Sequence, residues 1–310
     1  MNIVLLDRKT LGEDLDLSPL LNFGEFLSYE TTSPNEVSER LQEAEILITN
    51  KVVINKEMME EAPFLKLICI AATGMNHVNL EAAKALNIKV MNVSGYAKNS
   101  VVQHTFAMAL NLLGRIQYYN QRAKDGTWSK SELFTDISKP FCELSGKTWG
   151  IIGLGELGKA VAEMAEAFGA KVHYFSTSGK NKINDYHHSE LNELLSECEI
   201  ISIHAPLNKD TSNLLNTENL CHLKDGAVLL NLGRGGIINE EALAIELEKR
   251  EIYVGLDVLE QEPINKGNYL LHISHPERLI VTPHIAWTSI EARKKLLAGI
   301  IKNIETFSED

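Results

Sequence analysis

Short apolar runs recur along the chain, and an amphipathic stretch follows almost every one. This alternation constrains the fold more than any other feature. A strand followed by a crossover helix returns to the same edge and pairs in parallel with the next strand, which leaves both faces of the sheet covered. NIVLLD (2–7), ILIT (46–49), LKLICIAA (65–72) and KVMNV (89–93) read as such strands, continuously apolar as parallel strands are. SPNEVSERLQEA (33–44) reads as a helix, with Ser33 as N-cap, Pro34 in the first turn and Glu36 completing a capping box. KEMMEEA (56–62) and LEAAKAL (80–86) are two more. The first 95 or so residues thus predict one small α/β domain.

A long helical stretch follows, from Ser100 to about Lys124, and then DGTWSKSELFTDISKPFCELSGK (125–147), which has no clear period and reads as an extended arm. A second α/β series begins after it. Its strands are TWGIIG (148–153), KVHYFS (171–176), EIISIHA (199–205), AVLLNLG (227–233), YVGLDV (253–258) and LIVTPH (279–284), with helices such as NEEALAIELEKR (239–250) between them. The last helix, SIEARKKLLAGIIKNIETF (289–307), is long enough to cross back onto the first domain. A length of 310 residues accommodates two domains.

Lys and Arg number 30 against 42 Asp and Glu, a net charge of −12, which argues against general affinity for nucleic acid or anionic membrane. No apolar run approaches the roughly 18 residues that span a bilayer, and MNIVLLDRKT reads as a first strand rather than a signal peptide. Cys69, Cys142, Cys198 and Cys221 show neither metal-ligand spacing nor a C-x-x-C, as expected of reduced, mostly buried thiols in a cytosolic protein.

In doubly wound sheets ligands bind beyond the carboxyl ends of the strands. In the second series those ends carry Gly153-Leu154-Gly155-Glu156-Leu157-Gly158, then Ser176-Thr177-Ser178, His204-Ala205-Pro206-Leu207, Asn231-Leu232-Gly233-Arg234-Gly235, Asp257 with Glu262 beyond it, and His284. Glycine and polar residues therefore collect at one edge of one sheet. The G-x-G-x-x-G follows a strand and opens a helix, the context that dinucleotide binding requires. Gly153 makes the turn, Gly155 admits a pyrophosphate to the backbone, Gly158 lets helix pack on strand, and the phosphates face the helix N-terminus. An acid is expected at the end of the second strand to bond the adenosine ribose. Ser176 stands there instead, which removes the repulsion against a 2′-phosphate, and Lys180 is the nearby cation. The choice between NAD and NADP stays open.

Arg234, Glu262 and His284 share this edge. Arginine offers a planar fork for a carboxylate, and a carboxylate beside a histidine fixes its tautomer and favours imidazolium. Beside a nicotinamide these roles describe reduction of a 2-oxo acid. Arginine binds and polarises the substrate, histidine protonates the oxygen, and the cofactor gives hydride to carbon. A zinc site fails on ligands, since arginine is not one and no Cys–His cluster is near. His272 and His275 read as surface loop residues, and no metal is expected.

The segments SGKTWGIIGLGELGKAVA (145–162), HAPLNKDTSNLLN (204–216), LLNLGRGGIINEEAL (229–243), GLDVLEQEP (255–263) and VTPHIAW (281–287) together resemble the D-isomer-specific 2-hydroxyacid dehydrogenases over essentially the whole chain. The resemblance implies a Rossmann nucleotide-binding domain (99–285) inserted in a discontinuous, flavodoxin-like substrate domain (1–98 and 286–310), with a homodimerisation arm at about 111–145. It implies Arg234, Glu262 and His284 as the catalytic set. For the cofactor it implies Gly153, Gly155, Glu156, Leu157, Gly158, Ser176, Thr177, Ala205, Pro206, Leu232, Gly233, Arg234, Asp257, His284 and Ala286. For the substrate it implies the loop AATGMNHVNL (71–80) through Thr73, Gly74 and Met75, with Arg234 and Trp287. NVSGYAKNSVVQHT (92–105) resembles the hinge into the nucleotide domain, with Gln103 where many relatives carry Glu. Within the family, STSGK paired with HIAW is most similar to the glycerate dehydrogenases, also called hydroxypyruvate reductases. A dinucleotide-sensing binding protein on the same fold is the alternative, and turnover with a 2-oxo acid separates the two.

Overall fold

The structure is a computed structural model that describes residues 1–179 and 185–309. The chain divides into two compact units, Met1–Ala97 with Trp287–Asp310, and Lys98–Ala286. Each division lies one residue outside the expected boundaries of the nucleotide-binding domain.

The first unit holds five parallel strands, β1 (Asn2–Leu5), β2 (Glu25–Ser28), β3 (Ile46–Thr49), β4 (Leu67–Ile70) and β5 (Lys89–Asn92), in the order β2-β1-β3-β4-β5. This is the flavodoxin-like order. Successive residues along a strand point to opposite faces, and the two faces are separate cores. Ile3, Leu5, Ile46, Ile48, Leu67 and Cys69 pack with Leu296, Ile300 and Ile304 of the last helix, Ile290–Glu309. Val4, Leu47, Ile68 and Ile70 pack with Val37, Leu41, Met59 and Ala82 on the other side. Both faces are dry along β3 and β4, so these strands read as unbroken apolar runs. β2 was not anticipated because it is an edge strand in which exposed and half-buried positions alternate. The helix expected over 33–44 is shorter, a 3-10 turn Pro34–Glu36 running into Val37–Arg40. Its capping box is present, but the chain turns after Leu41 so that Ala44 joins the core.

Among the described residues the second unit holds seven parallel strands. They are β6 (Thr148–Ile152), β7 (Lys171–Phe175), β8 (His187–His188), β9 (Ile200–Ile203), β10 (Val228–Asn231), β11 (Tyr253–Leu256) and β12 (Leu279–Val281), in the order β12-β11-β10-β9-β6-β7-β8. Counted within the unit, the order 3-2-1-4-5-6 is that of the Rossmann fold with one strand added, and its switch point lies between β6 and β9. The two-residue β8 was not anticipated. The helical stretch expected from Ser100 to Lys124 is two helices, Lys98–Leu113 and Ile116–Lys124. Gly114 weakens the helix, and Arg115 adopts a left-handed conformation (φ +53°) with its guanidinium 3.5 Å above the Tyr253 ring. The arm beyond has one 3-10 turn, Trp128–Lys130, and otherwise turns and bends. It is held by Arg122 Nε donating to Asp136 Oδ2 (2.6 Å) and by Tyr119 donating to the Lys139 carbonyl.

Candidate active site

The glycine loop packs tightly toward the sheet and is open on its other side. Gly153, at the end of β6, has φ +92°, and a Cβ there would lie 2.9 Å from the Ala205 nitrogen after β9. A Cβ on Gly158 would lie 2.3 Å from the Gly153 carbonyl oxygen, so helix Glu156–Ala167 approaches the strand only because this residue is glycine. Gly155 is different, since nothing lies within 4 Å of a Cβ built there. That open space fronts the first turn of the helix, where free N–H groups and the dipole attract anions. Glu156 and Pro206 are exposed, Leu157 is half-buried, and Ala205 and Leu232 are buried. A Cβ on Gly233 would sit 3.0 Å from the Ala205 carbonyl oxygen, so the ends of β9 and β10 converge beside the loop. At the end of β7, Ser176 is 8% exposed, and its hydroxyl meets no protein partner. A buried polar group left unpaired costs about 1–3 kcal/mol, so this hydroxyl suits a ligand oxygen. Thr177 beside it is half-buried. These features fit a dinucleotide. Lys180 lies outside the described residues.

The switch point also holds a buried polar chain. Trp149 Nε1 donates to Ser202 Oγ (2.8 Å), which bonds His204 Nε2 (3.0 Å), while His204 Nδ1 has no protein partner. Burial pushes His204 down to about 4, so it is neutral at physiological pH.

At the other end of the same sheet edge, His284 Nδ1 lies 2.7 Å from Glu262 Oε2. His284 is in the left-handed region (φ +55°), which costs a non-glycine residue about 1–3 kcal/mol unless its surroundings hold it. Its N–H donates to the carbonyls of Asp257 and Thr282, both at 2.9 Å. The buried Asp257 carboxylate accepts from Thr282 Oγ1 (2.6 Å) and from the backbone N–H groups of Ile285 (2.8 Å) and Ala286 (2.9 Å). Asp257 and Ala286, expected on the cofactor side, are thus bonded to each other beneath the histidine turn. His104, on helix Lys98–Leu113, adds a contact that sequence reasoning missed, with Nε2 3.0 Å from Thr282 Oγ1.

Glu262 is fixed from the opposite side. Its Oε1 accepts the Leu259 N–H at 3.0 Å. Glu240, at the start of helix Glu240–Lys249, accepts the Glu260 N–H (2.6 Å) and a bond from Asn268 Nδ2 (2.5 Å). A Cβ on Gly235 would fall 1.8 Å from the Leu259 carbonyl oxygen, so this loop is seated on bare glycine backbone. The turn carrying Arg234 is shaped by Asn231, which accepts the Gly233 N–H (3.1 Å) and donates to the Arg234 carbonyl (2.9 Å). The half-buried Arg234 guanidinium bonds the Gly233 carbonyl (2.8 Å).

In the first unit, Thr73, Gly74 and Met75 follow β4 at the carboxyl edge of its sheet. Asn92 Nδ2 donates to the Thr73 carbonyl (2.7 Å) and Thr73 Oγ1 to the Val93 carbonyl (3.2 Å). Trp287 meets Tyr96 edge-on at 6.2 Å and packs against the core. In the second unit, His272 Nε2 bonds the Lys266 carbonyl (3.0 Å) and His275 lies 3.7 Å from Glu277. Among the described residues no group of three His, Cys, Asp or Glu is placed to hold a metal ion, and no helix is long and apolar enough to cross a membrane.

A sheet edge with a dinucleotide cradle after β6 and a carboxylate-backed histidine after β12 belongs to the NAD(P)-dependent oxidoreductases. Residues 106–286, more than half of the chain, match the family described as D-isomer specific 2-hydroxyacid dehydrogenase, NAD binding domain. The chain is 39% identical over 308 residues to the glycerate dehydrogenase of Methylorubrum extorquens, covering 98% of this chain and 95% of that one. It is 35% identical over 314 residues to the hydroxypyruvate reductase of Blautia hydrogenotrophica, covering 99% and 97%. Among solved structures it is similar to the acyclic imino acid reductase Bsp5 in complex with NADPH and D-Arg, with a TM-score of 0.88, 30% identity and coverage of 100% and 97%. The protein belongs to the D-isomer-specific 2-hydroxyacid dehydrogenase family.

Proposed function

We propose that the protein reduces a small 2-oxo acid of the hydroxypyruvate or glyoxylate type to the D-2-hydroxy acid, using NADH or NADPH. The observation that carries this reading is the 2.7 Å bond between His284 Nδ1 and Glu262. The carboxylate accepts the Nδ1 proton, which leaves Nε2 to deliver or remove the mobile one. Arg234 binds the substrate carboxylate and polarises the keto oxygen through its fork. Within the first unit, Thr73, Gly74 and Met75 offer backbone amides to a substrate carboxylate, and Trp287 contributes to substrate choice. When bound, the dinucleotide supplies the hydride to the keto carbon. His284 then transfers its Nε2 proton to the oxygen, and Glu262 stabilises the ring in both protonation states. The glycine loop, Thr177, Ala205, Pro206, Leu232 and Gly233 hold the dinucleotide, and Ser176 neither repels nor strongly attracts a 2′-phosphate.

The substrate class is supported by the relatives named glycerate dehydrogenase and hydroxypyruvate reductase. The arm at 111–145 makes a homodimer, a reading supported by Phe134 and Ile137, which are 91% and 78% exposed in the single chain. The free thiols suit a cytoplasmic setting, though only Cys69 and Cys198 are buried, and Cys142 and Cys221 are exposed against the expectation of mostly buried ones.

The test is turnover of hydroxypyruvate, glyoxylate and pyruvate, each with NADH and with NADPH. Hydroxypyruvate or glyoxylate is expected to be reduced with both dinucleotides, hydroxypyruvate to the D-product and glyoxylate to achiral glycolate. Dinucleotide binding without turnover of any 2-oxo acid would instead make the protein a sensor.

A further inference from the structure

The turn carrying His284 is strained, and what holds it reaches beyond Asp257. Thr282 Oγ1 donates to Asp257 Oδ1 at 2.6 Å, so the hydroxyl proton points at the carboxylate. His104 Nε2, 3.0 Å from the same oxygen, must then donate its own N–H to the lone pair that remains. His104 is also 3.7 Å from Asp257 Oδ1, so its ring backs both members of the pair. The result is a directed chain in which His104 Nε2–H bonds the Thr282 hydroxyl, the hydroxyl bonds Asp257, and Asp257 accepts the N–H groups of Ile285 and Ala286 on either side of the turn's exit. The Asp257 carbonyl meanwhile accepts the His284 N–H. Each donor polarises the next.

We propose that His104 is a positioning residue that acts through Thr282 and Asp257 to hold the left-handed His284 turn, and so keeps the His284–Glu262 pair aligned for proton transfer. The inference rests on the reading of His284 as acid and base. Its reach is specific. His104 bonds one hydroxyl of this turn, so losing it should loosen the turn and leave the phosphate hold of Gly153–Gly158 on the dinucleotide in place. Gln can replace the function, because its side-chain N–H₂ is a donor, whereas Phe fills the space without one.

The experiment compares His104→Phe, His104→Gln, Thr282→Val and the double variant His104→Phe/Thr282→Val in the full chain. Backbone deuterium uptake over 282–287 is read by mass spectrometry, alongside kcat and KM for the 2-oxo acid. For His104→Phe and Thr282→Val, uptake in this segment is expected to be about tenfold faster, as for loss of one bond to a charged network. The kcat is expected to fall about tenfold, with KM and dinucleotide affinity unchanged. His104→Gln restores both, and the double variant is no worse than Thr282→Val alone, because both lie on one chain. Parental uptake in His104→Phe, a Gln variant no better than Phe, or additive losses in the double variant would overturn the proposal. Should His104→Phe fail to fold, His104→Leu, which also lacks a donor, takes its place in each comparison. The uptake measurement needs no substrate. A clamp that loosens in a protein without turnover would sink the functional reading alone, and a turn indifferent to His104 in an active enzyme would sink this inference alone.

Discussion

His204 shows how a residue at the end of a strand can turn inward. Its position after β9 marked it as part of the ligand edge, yet its ring points into a buried chain with Ser202 and Trp149. Burial holds it down to about 4 against an ordinary value of 6.5. The unfolded chain therefore takes up a proton near 6.5 that the folded chain refuses until about 4, and acidification through that window favours unfolding. Relative to His204→Gln, the parent should lose about 3 kcal/mol of stability between pH 7 and 4, with no change above pH 7. Urea denaturation of both across this range checks it. His77, also held down to about 4, chiefly by burial, is common to both proteins and cancels. A parent-minus-variant difference independent of pH would mean that His204 is not kept neutral. Glycines and the Arg, Glu and His candidates were legible because each follows a strand end within a short motif. His104 was not, because its partner Thr282 is 178 residues away and nothing local marks the pair.

Among the elements, the β10 turn and the loop after β11 form one mechanical unit. Gly235 bears on the Leu259 carbonyl, and the same residue's N–H is accepted by Glu262, which bonds His284. Gly235→Ala would push a methyl into backbone that has no rotamer to yield. The expected loss is about 1–3 kcal/mol of stability, accompanied by a fall in kcat as Glu262 is displaced. Urea unfolding and steady-state kinetics on the one variant measure both, and parental values in both would show that the loop gives way without consequence. Apolar runs marked most plainly the strands with both faces buried, β3, β4, β9, β10 and β11. The features that such runs missed have a different cause. β2 is a half-exposed edge, and the break at Gly114–Arg115 depends on the tertiary stacking of Arg115 on Tyr253.

At the scale of the molecule, two parallel α/β units follow from the rhythm of strand and helix, and the two strand orders assign them flavodoxin-like and Rossmann character. Strand order itself was not legible, since alternation fixes parallel pairing and leaves the neighbours open. The last helix was expected to return to the first unit, and its Leu296, Ile300 and Ile304 complete one face of that unit's core. The fold thereby delivers cradle and histidine to the same sheet edge from segments more than 100 residues apart. The central claim is that His284 exchanges the proton that accompanies hydride transfer. Replacing it with Ala and measuring kcat for 2-oxo acid reduction, with dinucleotide affinity taken on the same sample, tests this most directly. The account predicts a fall of about 10²–10⁴ in kcat with dinucleotide affinity preserved, the contribution of a positioned general acid. Parental turnover, or a loss traced wholly to weakened dinucleotide binding, would contradict it.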